Sequence, residues 1–197
     1  MKKEAIEQIQ KQLLEIANLS EEELDKLSYL MLKEAAGEYT KTRELFFTSD
    51  SFKKNLIDFK KNHTKTPNIL RNILGVMGFI ATQFNDFDSI YYTCLLENIR
   101  NTDNKIKMVI ARFICKFPQF EDYKNKWEYI LSIPKIAPKK HSIDYFFFAI
   151  KKRVTKIPDE YKHEIITILS DQMSKINWED TKKKYEELIN DVMSGNE

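Results

Sequence analysis

Few residues in this chain have the types and spacing that catalysis or metal binding requires. A zinc-protease motif needs two histidines one helical turn apart, and HEIIT at 163–167 supplies only the first. NDFDS at 85–89 lacks the glycine and the distal glutamate of a calcium-binding loop, and GVMG at 75–78 is not followed by the Lys-Ser/Thr pair of a phosphate loop. These patterns predict helix capping for the two aspartates and close helix packing for Gly75 and Gly78. A catalytic triad assembled from distant segments stays open at this stage, although no constellation supports a hydrolase.

The two cysteines, Cys94 and Cys115, lie in apolar periodic contexts and form no CxxC pair. This placement predicts inert core thiols that stay free in a reducing compartment. The opening MKKEAIEQIQ has no apolar region of the kind that a secretory signal needs, and the longest apolar run, residues 73–81, is too short to span a bilayer. We therefore expect a cytoplasmic protein that makes no membrane contact.

The elements that would position any functional residue are predicted to be helices. Apolar residues recur at spacings of three and four along almost the whole chain, and only four glycines and five prolines are available for turns. The predicted helix starts, taken in pairs, repeat at about 32 to 38 residues, which is the period of stacked helical hairpins. The predicted fold class is all-α, with stacked antiparallel helical hairpins forming an α-solenoid of about ten helices. Residues 1–197 are expected to form one domain, with an N-terminal helical cap at 1–48. The later helix starts fall near residues 67, 87, 104, 119, 142, 158 and 177.

Local signals place some of these boundaries. SEEE at 20–23 predicts a capping box, in which Ser20 accepts from the amide of Glu23 and the Glu23 carboxylate reaches back. PKIAPKKH at 134–141 predicts a loop, so the helix that follows it should begin at Ser142.

One strongly apolar segment, TDNKIKMVIARFICKF at 102–117, carries evenly spaced cations. On a helix with about 100° per residue, its main apolar side chains share one arc about 140° wide. Lys105, Arg112 and Lys116 fall together within about 40° along one edge of that arc. Lys107 falls on the other edge. Two interpretations stay open: cations that pack their stems beside a core face and keep their charges in water, or a basic ridge that faces a groove.

The same segment resembles the second helix of a HEAT repeat over about 13 of the 197 residues. That pattern has a turn aspartate, an aliphatic and a basic residue, small or apolar residues, another basic residue and a closing apolar pair. Ile110 departs from it, because the family usually has alanine there. The resemblance implies a helical-hairpin solenoid used for binding, and it carries no catalytic residues. The matching residues, in order, are Asp103, Ile106, Lys107, Val109, Ala111, Arg112, Phe113 and Ile114.

The formal net charge is only +2, but cations concentrate in the middle of the chain and the two ends are acidic. Two basic stretches stand out, 53–65 and 134–156, and the aromatic run 145–148 lies within the second. Three consecutive phenylalanines cannot all face one side of a helix, so at least one ring should be partly exposed or face a partner. A solvated face and a nucleic-acid or acidic-protein surface both stay open for these stretches. Reversing residues 151–153 to glutamate is expected to leave the fold intact. We predict that a basic binding surface is built from Lys105, Lys107, Arg112, Lys116, Lys139, Lys140, Lys151, Lys152 and Arg153.

Together these features predict a non-catalytic, macromolecule-binding helical-repeat protein that acts as a protein–protein interaction scaffold or adaptor. A protein partner is favoured over nucleic acid, because the net charge is near zero and the acidic ends would repel a long duplex. The alternative is a DNA- or RNA-binding helical-repeat protein that uses the basic central surface. The sequence indicates no enzyme activity, no metal and no small-molecule cofactor.

Overall fold

The chain folds into helices throughout the computed structural model, which describes residues 3–194. No strand occurs in that range, so the prediction of an all-α fold is confirmed. Short 3₁₀ turns extend or connect several of the helices. The eleven α-helices between residues 3 and 194 are α1 (Lys3–Leu14), α2 (Glu21–Ala35), α3 (Lys41–Phe47), α4 (Asp50–His63), α5 (Pro67–Gln83), α6 (Ser89–Glu97), α7 (Asn104–Phe113), α8 (Lys126–Ser132), α9 (Lys139–Lys151), α10 (Asp159–Met173) and α11 (Glu179–Ser194).

Side chains at the starts of several helices fix their boundaries. Ser20 accepts a hydrogen bond from the amide of Glu23, and the Glu23 carboxylate accepts from the Ser20 amide at 2.8 Å, so the predicted capping box is confirmed. Thr40, Ser49 and Thr66 each accept a bond from an amide in the first turn of α3, α4 and α5. Each cap satisfies an amide that has no partner inside its helix and contributes about 1 kcal/mol.

The start of α9 differs from the prediction. The helix begins at Lys139, directly after Pro138, and not at Ser142. Ser142 is buried, and its hydroxyl donates to the Lys139 carbonyl at 3.0 Å, so it bonds within the first turn. Pro138 ends the preceding segment in an extended conformation, and its fixed φ lets a helix follow at once. The polar residues that indicated a loop therefore belong to the first turn of α9.

The chain divides into two compact units, one up to Phe120 and one from Glu121 onward. In the N-terminal unit, α5 lies between α2 and α7 and contacts both. Helix α1 packs against α2, and α4 and α6 pack against α5. The apolar sequence of α5 fits this central position, because most of its residues from Ile69 to Ala81 are buried. The prediction of one domain over 1–197 stays a prediction.

Two glycines of α5 allow its neighbours to approach closely. A Cβ on Gly75 would lie 2.7 Å from a terminal methyl of Leu32 on α2, and a Cβ on Gly78 would overlap the ring of Phe113 on α7. Both glycines are buried. The predicted packing role of this pair is therefore confirmed, and it explains how α5 contacts two helices at once.

Replacing Gly78 by alanine is expected to lower the free energy of unfolding by about 1–3 kcal/mol, because the added methyl overpacks against a rigid ring. Gly75→Ala is the matched control. Its methyl meets only the flexible end of Leu32, and the better helix propensity of alanine, about 1 kcal/mol, offsets much of the clash. Urea unfolding of both variants measures the difference. A larger loss for Gly75→Ala than for Gly78→Ala would contradict the packing described.

In the C-terminal unit, α8 packs against α9, α10 packs against α11, and α11 also contacts the 3₁₀ turn at 154–156. The ring centroids of Phe147 on α9 and Tyr185 on α11 are 4.6 Å apart. Phe146 and Phe147 are buried, whereas Phe148 is 62% exposed. The prediction that one ring of the aromatic run is exposed is confirmed.

No helix within residues 3–194 combines the length and the apolar content that crossing a membrane would require.

Candidate binding surface

Helix α7 separates its apolar and basic side chains as the sequence predicts. Ile106 and Phe113 are buried, whereas Lys105, Arg112 and Lys116 are exposed. We call Lys105, Arg112 and Lys116 the α7 basic row. Lys105 and Arg112 lie along one edge of the apolar face of α7, and Lys116 lies in the 3₁₀ turn that follows the helix.

Aromatic rings on α5 and α7 contact the last two cations of this row, Arg112 and Lys116. The Arg112 guanidinium lies over the ring of Phe79 on α5, 4.7 Å from its centroid, and 5.2 Å from the centroid of Phe113. The Lys116 ammonium lies 5.6 Å from the same Phe113 centroid. A guanidinium that stacks on a ring keeps its N–H edges available for a carboxylate or phosphate. Arg112 is therefore positioned before any partner arrives.

Neighbouring carboxylates do not neutralise the charges of Lys105 and Arg112. No Asp or Glu occurs between residues 104 and 120. Within residues 3–194, no carboxylate lies at ion-pair distance from Lys105 or Arg112. Two uncompensated cations on one edge of a helix attract anionic groups.

Lys107 does not belong to the row. It is half-buried, and the helical period places it on the opposite edge of the apolar face. The sequence predicts this separation, so Lys107 is a surface cation of α7 that faces away from Lys105 and Arg112.

The predicted cations of the C-terminal unit do not form one cluster on α9. Lys139 and Lys140 are exposed at the start of the helix, and Lys151 is exposed at its end. Twelve residues of helix between Lys139 and Lys151 correspond to about 18 Å. Lys152 follows the helix and is also exposed.

Arg153 is buried, so its prediction as a surface cation is wrong. Its side chain is 1% exposed, and its guanidinium lies 2.8 Å from a carboxylate oxygen of Glu121 and donates to the Ala149 carbonyl. The helix ends at Lys151, and the chain then turns into the 3₁₀ segment at 154–156. That turn directs residue 153 inward while its two lysine neighbours stay outside. The sequence of residues 151–153 gives no indication that the third cation points inward.

Two lysines of the first basic stretch form ion pairs with the loop and helix that follow α5. The Lys53 ammonium lies 2.7 Å from a carboxylate oxygen of Asp88 and 3.8 Å from one of Asp86. Lys60 pairs with Glu97. Asp88 also accepts a hydrogen bond from the Ile90 amide, so its predicted role as a cap is confirmed. These two lysines therefore stabilise the N-terminal unit.

Lys53 affects its two carboxylate partners differently. Burial opposes ionisation of Asp88, but the hydrogen bonds from Lys53 and from the Ile90 amide outweigh it and hold the pKa of Asp88 below its ordinary value. Burial raises the pKa of Asp86, and the charge of Lys53 offsets only part of that effect. Ionised Asp88 therefore favours the folded state, whereas ionised Asp86 opposes it.

This difference predicts opposite pH dependences for two matched variants. Asp88→Asn keeps a capping side chain and should cost about 1 kcal/mol at pH 7 through loss of the ion pair. Because the folded pKa of Asp88 lies below the unfolded value, that cost should disappear as pH falls below about 4. Asp86→Asn should be neutral or stabilising at pH 7, and its benefit should fade as pH falls through the raised folded pKa of Asp86, so that it is gone by about pH 4. Urea unfolding at several pH values checks both. Destabilisation of equal size by the two variants at pH 7 would contradict the assignment.

The other residue types that could do chemistry are the two cysteines and the possible metal ligands. Cys94 and Cys115 are buried, as predicted, and burial raises the pKa of Cys94. Within residues 3–194, no group of three His, Cys, Asp or Glu side chains is arranged to hold a metal ion.

Sequence reasoning missed one apolar groove in the N-terminal unit. It has a volume of about 280 Å³, and α1, α4 and the residues before α4 line it. Leu14 at its edge is 83% exposed. Its lining includes Leu13, Phe46 and Phe52 with two serines, and it contains no titratable side chain. The leucines of α1 predict an amphipathic helix, but nothing in their spacing indicates a concave surface.

Comparison with known proteins assigns no family to this chain. No protein-family model matches it, and neither a curated protein nor a solved structure does. The resemblance of residues 102–114 to a HEAT helix therefore stays a prediction, and the function is argued from the geometry of the residues themselves.

Proposed function

We propose that this chain is a non-catalytic helical-repeat protein, a scaffold or adaptor whose α7 basic row binds an acidic face of a protein partner. The observation that carries the proposal is the exposure of Lys105 and Arg112, with Arg112 stacked on Phe79 and, within residues 3–194, no carboxylate at ion-pair distance from either. Arginine is enriched at protein interfaces, and its planar guanidinium both stacks on aromatic rings and pairs with carboxylates.

The packing order of the N-terminal unit supports a repeat architecture. Helix α2 packs against α5, and α5 packs against α7. Helices α1, α4 and α6 each pack against one of these three helices. In stacks of helical hairpins, one helix of each pair contributes to a continuous binding face. The α7 basic row lies on the exposed side of the third helix in the series. We therefore assign the binding face to the side of α7 that carries Lys105 and Arg112.

The small number of exposed cations in the α7 basic row favours a protein partner over a duplex. Proteins that bind duplex DNA through its backbone commonly contact about six to ten phosphates. Arg153 of the predicted basic surface is buried, and Lys53 and Lys60 of the first basic stretch are ion-paired, so these three cations are unavailable for that role. The α7 basic row has three cations, which suits a short acidic patch. Phe79 beside Arg112 is the one feature that favours single-stranded nucleic acid, since aromatic rings can stack on bases.

Titration with two polyanions tests this proposal. Poly-L-glutamate stands for an acidic protein face, and a short DNA duplex stands for nucleic acid. The wild-type chain should bind poly-L-glutamate at low salt, and K105E/R112E should weaken that binding by about tenfold or more. The matched control K11E/K65E reverses two exposed lysines on other elements of the same unit and should bind within about twofold of wild type.

Two outcomes decide against the proposal. Equal losses for K105E/R112E and K11E/K65E would mean that net charge, and not the α7 basic row, drives binding. Tighter binding of the duplex than of poly-L-glutamate at the same salt, with a steep salt dependence, would favour the nucleic-acid alternative.

A further inference from the structure

Resting on the proposed function, we infer that the partner presents an acidic helix, and that Arg71 on α5 binds it together with Lys105 and Arg112 on α7. We call these three residues the α5–α7 basic face. Three observations on the N-terminal unit support this site: the parallel alignment of its helices, the fixed position of the Arg71 side chain, and the spacing of the cations along the helix axes.

Helices α2 and α5 run parallel to each other. Ser28 on α2 accepts a hydrogen bond from the side-chain amide of Asn72 on α5. Farther along both helices, Gln83 at the end of α5 donates to the carbonyl of Gly37, which follows α2. The two contacts advance in the same direction along both segments, so the helices are parallel.

Helices α5 and α7 are also parallel. The ring of Phe113 at the end of α7 lies where a Cβ of Gly78 on α5 would be. One turn later, the ring centroid of Phe117 is 5.4 Å from that of Phe87, which follows α5. In an antiparallel pair, Phe117 would instead lie toward the start of α5.

Arg71 and Lys105 lie at the same level of this parallel pair. Lys105 is eight residues before Phe113, and Arg71 is seven residues before Gly78. At about 1.5 Å of rise per residue, their levels differ by only about 1.5 Å. At about 100° per residue, Arg71 also lies within about 20° of Gly78, so it projects from the edge of α5 that contacts α7.

Arg112 marks the other end of the face. Its guanidinium lies 4.7 Å from the ring centroid of Phe79 on α5, so the edge of α7 that carries Arg112 is turned toward α5. Lys105 is on the same edge, seven residues and about 10.5 Å earlier. The face therefore has Arg71 and Lys105 at one end and Arg112 at the other.

Asn72 holds the Arg71 side chain in place. The Asn72 Oδ1 accepts hydrogen bonds from Arg71 Nη2 at 2.7 Å and from Nε at 3.2 Å. Asn72 is 2% exposed and is itself fixed by its bond to Ser28. Arg71 is half-buried, and within residues 3–194 no carboxylate lies at ion-pair distance from it. Its charge is therefore positioned but not neutralised, as is that of Arg112.

The spacing of the cations favours a helix as the element that binds. Two carboxylates seven residues apart on a helix lie on one side of it, about 10.5 Å from each other along the axis. In an extended strand, side chains on one side recur every two residues, so they lie about 7 or 13 Å apart. A helix that lies along α5 and α7 can therefore place carboxylates at both ends of the α5–α7 basic face at once, whereas a strand cannot.

Two designed peptides test the selection of a helix, with binding measured by fluorescence anisotropy at about 0.02 M salt. The one-face peptide is an alanine- and glutamine-based helix of about 22 residues. Its glutamates stand at positions 4, 8, 11 and 15 and fall within about 60° of one another. The spread peptide has the same composition, but its glutamates at positions 4, 9, 14 and 19 point to different sides.

The wild-type chain should bind the one-face peptide at least about fivefold more tightly than the spread peptide. Arg71→Gln should weaken binding of the one-face peptide by about threefold or more, because one end of the face loses its fixed cation. Lys54→Gln is the matched control, since it removes one exposed cation from α4, and it should stay within about twofold of wild type. A proline in the middle of the one-face peptide breaks the helix but keeps every charge, and it should abolish the preference.

Circular dichroism and thermal melts establish that Arg71→Gln is folded. If it is not, Arg71→Lys replaces it, because this variant keeps the charge but loses the two-bond contact with Asn72; it too should weaken binding of the one-face peptide more than Lys54→Gln does. Equal affinities for the one-face and spread peptides would overturn the inference. So would undiminished binding of the proline peptide, or a folded Arg71 variant that binds as Lys54→Gln does.

The proposed function has a separate readout. If K105E/R112E loses binding to poly-L-glutamate but the two peptides bind equally well, the α7 basic row binds acidic chains and no helix is selected, so only the inference fails. If K105E/R112E binds poly-L-glutamate as the wild type does, the proposed function fails, and the inference that rests on it fails as well.

Discussion

Replacing Phe113 by alanine is expected to lower the free energy of unfolding by about 3–5 kcal/mol. The side chain is 1% exposed, fills the space above Gly78 and packs edge-on against Phe79 with ring centroids 5.0 Å apart. Removing the ring leaves a cavity between α5 and α7 that the glycine cannot fill. Chemical denaturation monitored by circular dichroism measures the loss.

Phe148→Ala is the matched control, since it removes the same ring from an exposed position and should cost less than about 0.5 kcal/mol. Phe113→Leu keeps most of the volume and should cost less than Phe113→Ala. A Phe148→Ala variant that is as unstable as Phe113→Ala would show that the assignment of buried and exposed faces is wrong. The Phe113 variants should also bind poly-L-glutamate more weakly, because Arg112 and Lys116 lose the ring beneath them.

Replacing Arg153 by alanine is expected to cost about 3 kcal/mol, because it removes the nearer of the two cations that pair with Glu121. Glu121 is about one-quarter exposed and has Lys126 at 3.6 Å, so the loss should lie toward the lower end for a broken buried pair. Lys151→Ala, two residues earlier, removes an exposed cation and should change stability by less than about 0.5 kcal/mol.

A double-mutant cycle between Arg153→Ala and Glu121→Ala separates the pair from its surroundings. The double variant should be less unstable than the sum of the two single variants. Independent, additive losses would contradict the proposed coupling. The same burial revises the expectation from sequence that residues 151–153 can all be reversed to glutamate: Lys151→Glu should be tolerated, whereas Arg153→Glu should unfold the C-terminal unit.

The helices and their facing could be predicted from the sequence because both depend on residues close together in the chain. The capping box at Ser20 and the burial of Phe113 follow from spacings of three and four residues, and the structure confirms both. The exposure of Phe148 follows from the same periodicity, since three adjacent rings cannot share one side of a helix.

The features that could not be predicted depend on contacts distant in sequence. Arg153 can be buried because it forms an ion pair with Glu121, which lies more than 30 residues earlier. No local sequence pattern indicates that pair. Lys53 and Lys60 look like a binding surface in sequence, but helix packing brings Asp88 and Glu97 to them. The stacking of Arg112 on Phe79 likewise requires α5 and α7 to be neighbours.

The most direct test of the α7 basic row is to locate where an acidic polymer binds. Lysine acetylation rates, read by mass spectrometry with and without poly-L-glutamate, report which ammonium groups the polymer covers. We predict that Lys105 and Lys116 are acetylated several-fold more slowly when the polymer is present, whereas Lys11 and Lys65 are unaffected. Equal protection of all four lysines, or protection confined to Lys139, Lys140 and Lys151, would contradict it.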